Sequence, residues 1–262
     1  MKVPRPIRPL DGWRRFFGEV GIIILGVMVA LGLGAVATEI GWRRDVTDAR
    51  AALAFEFGDG VGQGQLTVRV TPCVEQRLDQ LTRIVADAER SGRLPPVGPI
   101  GTPPWHTWDS GVWDSVVASQ TASHFPRDEA GGIVGFYNFL SILRDNTSRE
   151  LDLWTRLYSL VGPGRTFTAE EARQVDATIS EARLTHRLMA RAAIRAEQLA
   201  SAYGLAYDND TARTYTRKSN SAQPICRPIP APAPATYGQA PFEGVIEFAR
   251  ANPLTRPDSQ QR

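Results

Sequence analysis

Lysine is almost missing from this 262-residue chain, occurring only at Lys2 and Lys218. Arginine carries the basic charge, alongside abundant alanine, glycine and proline. That bias is what a GC-rich genome gives, so arginine number alone argues for nothing. The net charge is only +2, which excludes the global basic field of a nucleic-acid binder. Two cysteines in this length do not build a disulfide scaffold. The three histidines, His106, His124 and His186, share no i, i+4 metal-ligand spacing, so no metal site is expected.

Motifs for catalysis and cofactor binding are missing too. The glycine-rich stretch GDGVGQGQ, residues 58–65, lacks both a preceding strand and the Lys-Ser/Thr that a phosphate loop needs. There is no G-x-S-x-G nucleophile elbow. Asp109, Asp114 and Asp128 lie near His124 in sequence, but nothing fixes their geometry, and solvated helix carboxylates are the commoner case. No catalytic residue and no cofactor is expected.

What the chain does have is a long apolar run. Val20–Thr38 gives 19 uncharged residues, which as a helix spans roughly 28 Å, close to the hydrocarbon core of a bilayer. Trp13, Phe16 and Phe17 flank one end and Trp42 the other, as interfacial aromatics do. Residues 1–18 carry Lys2, Arg5, Arg8, Arg14 and Arg15 against Asp11 alone, whereas residues 41–60 carry Arg43, Arg44 and Arg50 among Asp45, Asp48, Glu56 and Asp59. The positive-inside rule then places the N-terminus in the cytoplasm and residues 43–262 outside.

A cleaved signal peptide is the competing reading, because Ala35-Val36-Ala37 forms an A-x-A pattern behind a basic region. Arg14-Arg15 also loosely suggests a twin-arginine signal. Against it stand the length of the run, Glu19 where an apolar h-region should begin, and Arg43-Arg44 as a stop-transfer flank. Within the run, Gly26, Ala30, Gly34 and Thr38 recur every four residues, a small-xxx-small stripe that permits close helix–helix approach. Glu19 lies on about the same face; a headgroup position near the positive helix start is its bland reading.

Beyond the run the periodicity is mostly helical. Leu66, Val70, Cys73/Val74, Leu78, Leu81, Val85 and Ala88 step by three or four. Pro72 interrupts them, and Thr71 with Pro72 reads as the start of a new helix. Residues 66–70, LTVRV, could alternatively form a short strand. GRLPPVGPIGTPP, residues 92–104, reads as a loop separating the juxtamembrane part from the rest. Trp105, Trp108 and Trp113 then step helically, as packing residues or as the lining of a ligand cleft. A stripe from Ile133 to Val161 ends at GPGR. TAEE, with Thr168 and Glu171, reads as a capping box. A 4-3 repeat from Val175 to Tyr203, passing through His186, closes at Gly204. These two long helices read as an antiparallel pair. From Tyr207 the chain turns polar and then proline-rich, and PIPAPAPA, residues 228–235, reads as polyproline II.

Outside the cytoplasm, Cys73 and Cys226 are expected to oxidise to one bond tying the tail to the first extramembrane helix. The alternative is two free thiols.

The basic opening, FFGEVGIIILGVMVALGLG and WRRDVTDARAALAFEF together resemble a family of bacterial single-pass membrane proteins of unknown function. Its members open with a basic tail and a Gly-Glu-(Ile/Val)-led apolar helix. The resemblance covers roughly residues 13–57. It implies retention of the helix as an anchor and brings no catalytic residues.

The expected architecture is therefore all-α. It comprises a cytoplasmic basic tail (1–15), a transmembrane helix (16–42), a juxtamembrane helical segment (43–91), the Pro/Gly loop (92–104), a helical domain with a long antiparallel pair (105–206) and a flexible Pro-rich tail (207–262). The expected setting is the bacterial inner membrane, with residues 43–262 periplasmic. The expected partners are the lipid bilayer and a second copy or another transmembrane helix. An interaction or accessory role comes first; ligand sensing through a partner protein comes second, and an enzyme third.

Overall fold

The computed structural model of the chain describes residues 10–217 and 223–230. It is all-α: helices α1 (Leu10–Ser91), α2 (Gly111–Ala118), α3 (Arg127–Leu157), α4 (Ala169–Ala202) and α5 (Asn209–Thr216), with a two-residue antiparallel pair of strands, β1 (Arg93–Leu94) and β2 (Arg165–Thr166). Helix α1 runs for 82 residues without a break, about 120 Å at 1.5 Å per residue. Its apolar N-terminal stretch, through Ile40, is exposed, and from Val46 on it is one of three long helices in a bundle with α3 and α4.

Two expected boundaries do not exist. The juxtamembrane segment is not separate from the domain that follows, because α1 supplies one wall of both apolar cores. Near the free half of α1, Val46, Leu53, Phe57 and Val61 pack with Ile133, Phe136 and Leu140 of α3 and with Ala193 and Ala196 of α4. At the far end, Val70, Val74, Leu78, Leu81 and Val85 pack with Leu153, Trp154 and Leu157 and with Ala172, Ile179 and Ala182. Nor does Pro72 start a new helix: it lies inside α1, and LTVRV is helical rather than a strand. A mid-helix proline costs about 3 kcal/mol. Here Val70 and Val74, both fully buried on either side of it, favour a continuous helix by comparable burial.

The glycine-rich stretch 58–65 is also helical. Positions two apart on a helix point nearly opposite ways, so the four glycines serve two faces. A methyl group at Gly58 would meet the Asp208 backbone at 2.5 Å, and one at Gly62 the Ala212 backbone at 2.6 Å. On the other face, Gly60 meets Phe136 and Leu140, and Gly64 meets Ala193. Helix α5 and the bundle can both approach α1 closely only because side chains are absent there. Gly62→Leu is expected to detach α5 while leaving the three long helices paired. Faster amide exchange over residues 209–216, with protection retained in α3 and α4, is the readout.

The tail departs from expectation as well. Residues 207–217 are not loose: α5 is capped by Asp208, whose side chain accepts from the Thr211 amide at 2.6 Å, and it packs on α1. Residues 223–230 lie against the 97–101 loop, where Gly101 takes a left-handed φ of 68° beneath Pro224. The polyproline expectation falls mostly outside the described residues. The capping box is present in full, with Thr168 Oγ1 accepting from the Glu171 amide and Glu171 accepting from the Thr168 amide.

Candidate functional site

The apolar segment of α1 is the largest feature that intramolecular packing leaves unexplained. Its 18-residue window has a mean hydropathy of 2.6 and none of it is buried, and it is long and apolar enough to cross a membrane. Gly26, Ala30 and Gly34 are exposed, and a methyl group at Gly26 or Gly34 would meet nothing. Thr38 ties its hydroxyl back to the Gly34 carbonyl at 3.0 Å, the local bond that helical threonines commonly make. Glu19 is exposed. Stepping 100° per residue puts this stripe roughly 120° around α1 from the core-facing positions Val46, Ala49, Leu53 and Phe57. The same free side continues past the apolar run through Ala51 and Ala52 to Phe55, which is 60% exposed.

The two apolar cores meet at a polar layer. Between Leu143 and Leu153 the buried residues of α3 are Thr147 and Glu150; between Ala182 and Met189 those of α4 are Thr185 and His186. Glu150 Oε1 lies 2.7 Å from His186 Nδ1, and His186 Nε2 lies 3.2 Å from Thr71 Oγ1. A carboxylate, an imidazole and a hydroxyl in that order are the parts of a hydrolytic triad. The surroundings argue against hydrolysis. His186 is 1% exposed and Glu150 5%, and the Thr71 hydroxyl donates to the Thr67 carbonyl at 3.1 Å. The void reaching Glu150 holds about 20 Å³, room for a single water. The layer holds the three helices in register.

The tryptophans do not share a helix. Residues 105–110 are irregular and α2 begins at Gly111. Trp108 adopts a φ of 53°, which no right-handed helix accommodates. Its fully buried indole donates to Thr147 Oγ1 at 2.7 Å, and its carbonyl accepts from Arg144. Trp113 stacks on Tyr137 with centroids 5.8 Å apart. Trp105 is exposed and edges the 20 Å³ void.

His106 is buried edge-on against Trp108 and Tyr215. Burial pushes its pKa down to about 4 from about 6.5. The folded state then binds fewer protons than the unfolded state, so His106 destabilises the fold as pH falls below about 6.5, and its effect levels off near 4. The shift amounts to on the order of 3 kcal/mol. His106→Leu is expected to flatten the fall in stability across that window, checked by urea melts at pH 7 and pH 4.5. His124 stacks on Trp42 with centroids 4.0 Å apart. Asp109, Asp114 and Asp128 sit on exposed positions and form no cluster with it.

Cys73 and Cys226 are bonded, with Cα atoms 4.9 Å apart. Beside them Arg77, 3% exposed, donates to the carbonyls of Ile100, Ile225 and Arg227. Burial lowers its pKa, against the opposing pull of Tyr158. Both stand on α1: the disulfide ties the tail to it, and Arg77 grips the loop and the tail together. Sequence reasoning missed Arg77, and it missed Glu56, which accepts from the Val112 amide at 2.7 Å and from the Tyr137 hydroxyl. It also missed the Arg50–Glu129 pair, joined by two bonds of 2.7 and 2.6 Å. These partners lie far apart in sequence, and no local pattern marks them. Among the described residues, no group of three or more His, Cys, Asp or Glu is placed to hold a metal ion.

Comparison with known proteins finds no matching protein-family profile, no similar curated protein and no similar solved structure.

Proposed function

We propose that the chain is a single-pass bacterial inner-membrane protein with a cytoplasmic N-terminus and a periplasmic helical bundle. Its role is structural or accessory, exercised through association along α1. One observation carries the reading: an 18-residue apolar window of α1 is wholly unburied, and water does not tolerate an apolar surface of that size. The charge asymmetry around the run supports the orientation, and the Cys73–Cys226 bond is compatible with an oxidising compartment. The free side of α1, from Gly26 to Phe55, supports packing against the same helix of a second copy. Small residues allow close approach within the bilayer, and Phe55 offers an apolar contact beyond it.

The association is tested on the full chain in lipid nanodiscs or mild detergent by mass measurement of the particle. A dimer is expected for the native chain, with monomers for Gly26→Leu/Gly34→Leu. A native chain that is monomeric at all accessible concentrations would refute the paired helix and leave the anchor standing.

A further inference from the structure

A cavity of about 350 Å³ opens where α3 begins and α4 ends, with Leu53, Phe57, Phe125 and Ile133 as its apolar walls and Arg50 and Glu129 at its mouth. The four apolar residues are buried from solvent, and the volume lies within the range of small-molecule sites. The two charges at the mouth are opposite and adjacent. Glu129 engages Arg50 through Nε and Nη2, using two of the five guanidinium donors. Arg50 also lies over the Phe125 ring, 5.5 Å from its centroid. The helix ends add to this polarity. Glu129 is in the first turn of α3, whose amino end stabilises its carboxylate, and the carboxyl end of α4, at Tyr203 and Gly204, favours a positive group beside it.

We infer that this cavity binds a free α-amino acid with an apolar side chain, its carboxylate on Arg50, its ammonium on Glu129 and its side chain among Leu53, Phe57, Phe125 and Ile133. The charge pair selects the class. A ligand bearing only a carboxylate would reach Arg50 while facing Glu129 unpaired, and a ligand bearing only an amine would do the reverse. A zwitterion replaces the internal pair with two new ones and leaves no charge uncompensated. Position selects the source. Twelve residues separate Thr38 from Arg50, a rise of about 18 Å on a helix, whereas the headgroup layer on each side of the core is only about 5–8 Å deep. The ligand therefore arrives from water. The inference needs no membrane: it stands on the bundle and survives even if α1 is cleaved or does not span.

The test is titration calorimetry on the detergent-solubilised full chain. The probes are L-leucine, L-phenylalanine, N-acetyl-L-leucine and L-leucine methyl ester. Saturable heat is expected for the two free amino acids at about 0.1–10 mM, the range for ligands this small. At least tenfold weaker binding is expected for each singly charged analogue. Arg50→Gln and Glu129→Gln alter only the mouth, so folding is retained. Arg50→Gln is expected to lose leucine at least tenfold. Glu129→Gln is expected to weaken leucine yet strengthen N-acetyl-L-leucine, because the competing carboxylate is gone. A purely structural ion pair would not produce that exchange of preference. The inference is overturned by absence of saturable heat for leucine and phenylalanine. It is equally overturned by N-acetyl-L-leucine binding the native chain as tightly as leucine, or by Arg50→Gln binding leucine unchanged.

Discussion

Glu150→Ala is expected to lower the stability of the bundle by about 1–3 kcal/mol, the usual cost of leaving a buried polar group unsatisfied. His186, 1% exposed, would keep its Thr71 contact and lose its carboxylate. An unpaired polar ring nitrogen in a core costs more than the hydrogen bond it made. The deficit is specific to the broken pair rather than to the lost volume, so the double variant Glu150→Met/His186→Leu should recover most of it. Apolar replacements of similar size leave nothing unsatisfied on either helix, and such replacements are often neutral or stabilising. Urea denaturation of the three proteins decides. A double variant no more stable than the single one would mean that the polar layer itself, and not the unpaired group, stabilises the fold.

Opening the Cys73–Cys226 bond carries the second large effect. The bond closes a loop of 153 residues, and for loops of that length the chain-entropy argument gives up to about 5 kcal/mol, with 2–4 kcal/mol typical. Cys73→Ser/Cys226→Ser is therefore expected to melt well below the native chain. The loss should be partly local. Arg77 still grips three carbonyls in the loop and tail, but against thermal motion it is a reversible clasp. Exchange at residues 223–230 should rise first, and the core around Leu78 and Trp154 should follow only near the melt. Equal melting of native and double-Ser chains under non-reducing conditions would contradict this.

Much of this architecture was legible in the sequence because it rests on local rules. The apolar run, the stripes of α3 and α4, the Thr168–Glu171 capping box and the pairing of two long helices all follow from spacing within one turn or one hairpin. The failures have a common cause. Pro72 is read locally as the start of a new helix, and nothing local shows what the glycines at 58–65, inside the expected helical segment 43–91, serve; tertiary contacts decide both. Pro72 is held between two buried valines, and the glycines are open sites filled by α5, Phe136, Leu140 and Ala193. The signal for the glycines lay in their spacing of two, which alternates faces on a helix. Trp108 failed in the other direction. Its helical spacing to Trp105 is accidental, because Thr147 and Arg144 hold it in a left-handed conformation. Of the cavity, only single residues were visible. Arg50 and Glu129 sit on separate helices, and nothing before the fold brings a cation and an anion 79 positions apart to one mouth.

The clearest test of the anchored reading is alkaline carbonate extraction of membranes from cells expressing the full chain, followed by intact mass of the fraction that holds it. The account predicts a full-length protein in the pellet, with thiols that react only after reduction. A soluble protein whose mass begins at Thr38 would contradict it. Residues 1–37 would then be a leader, and the bundle, whose first buried residue is Val46, would leave the membrane intact.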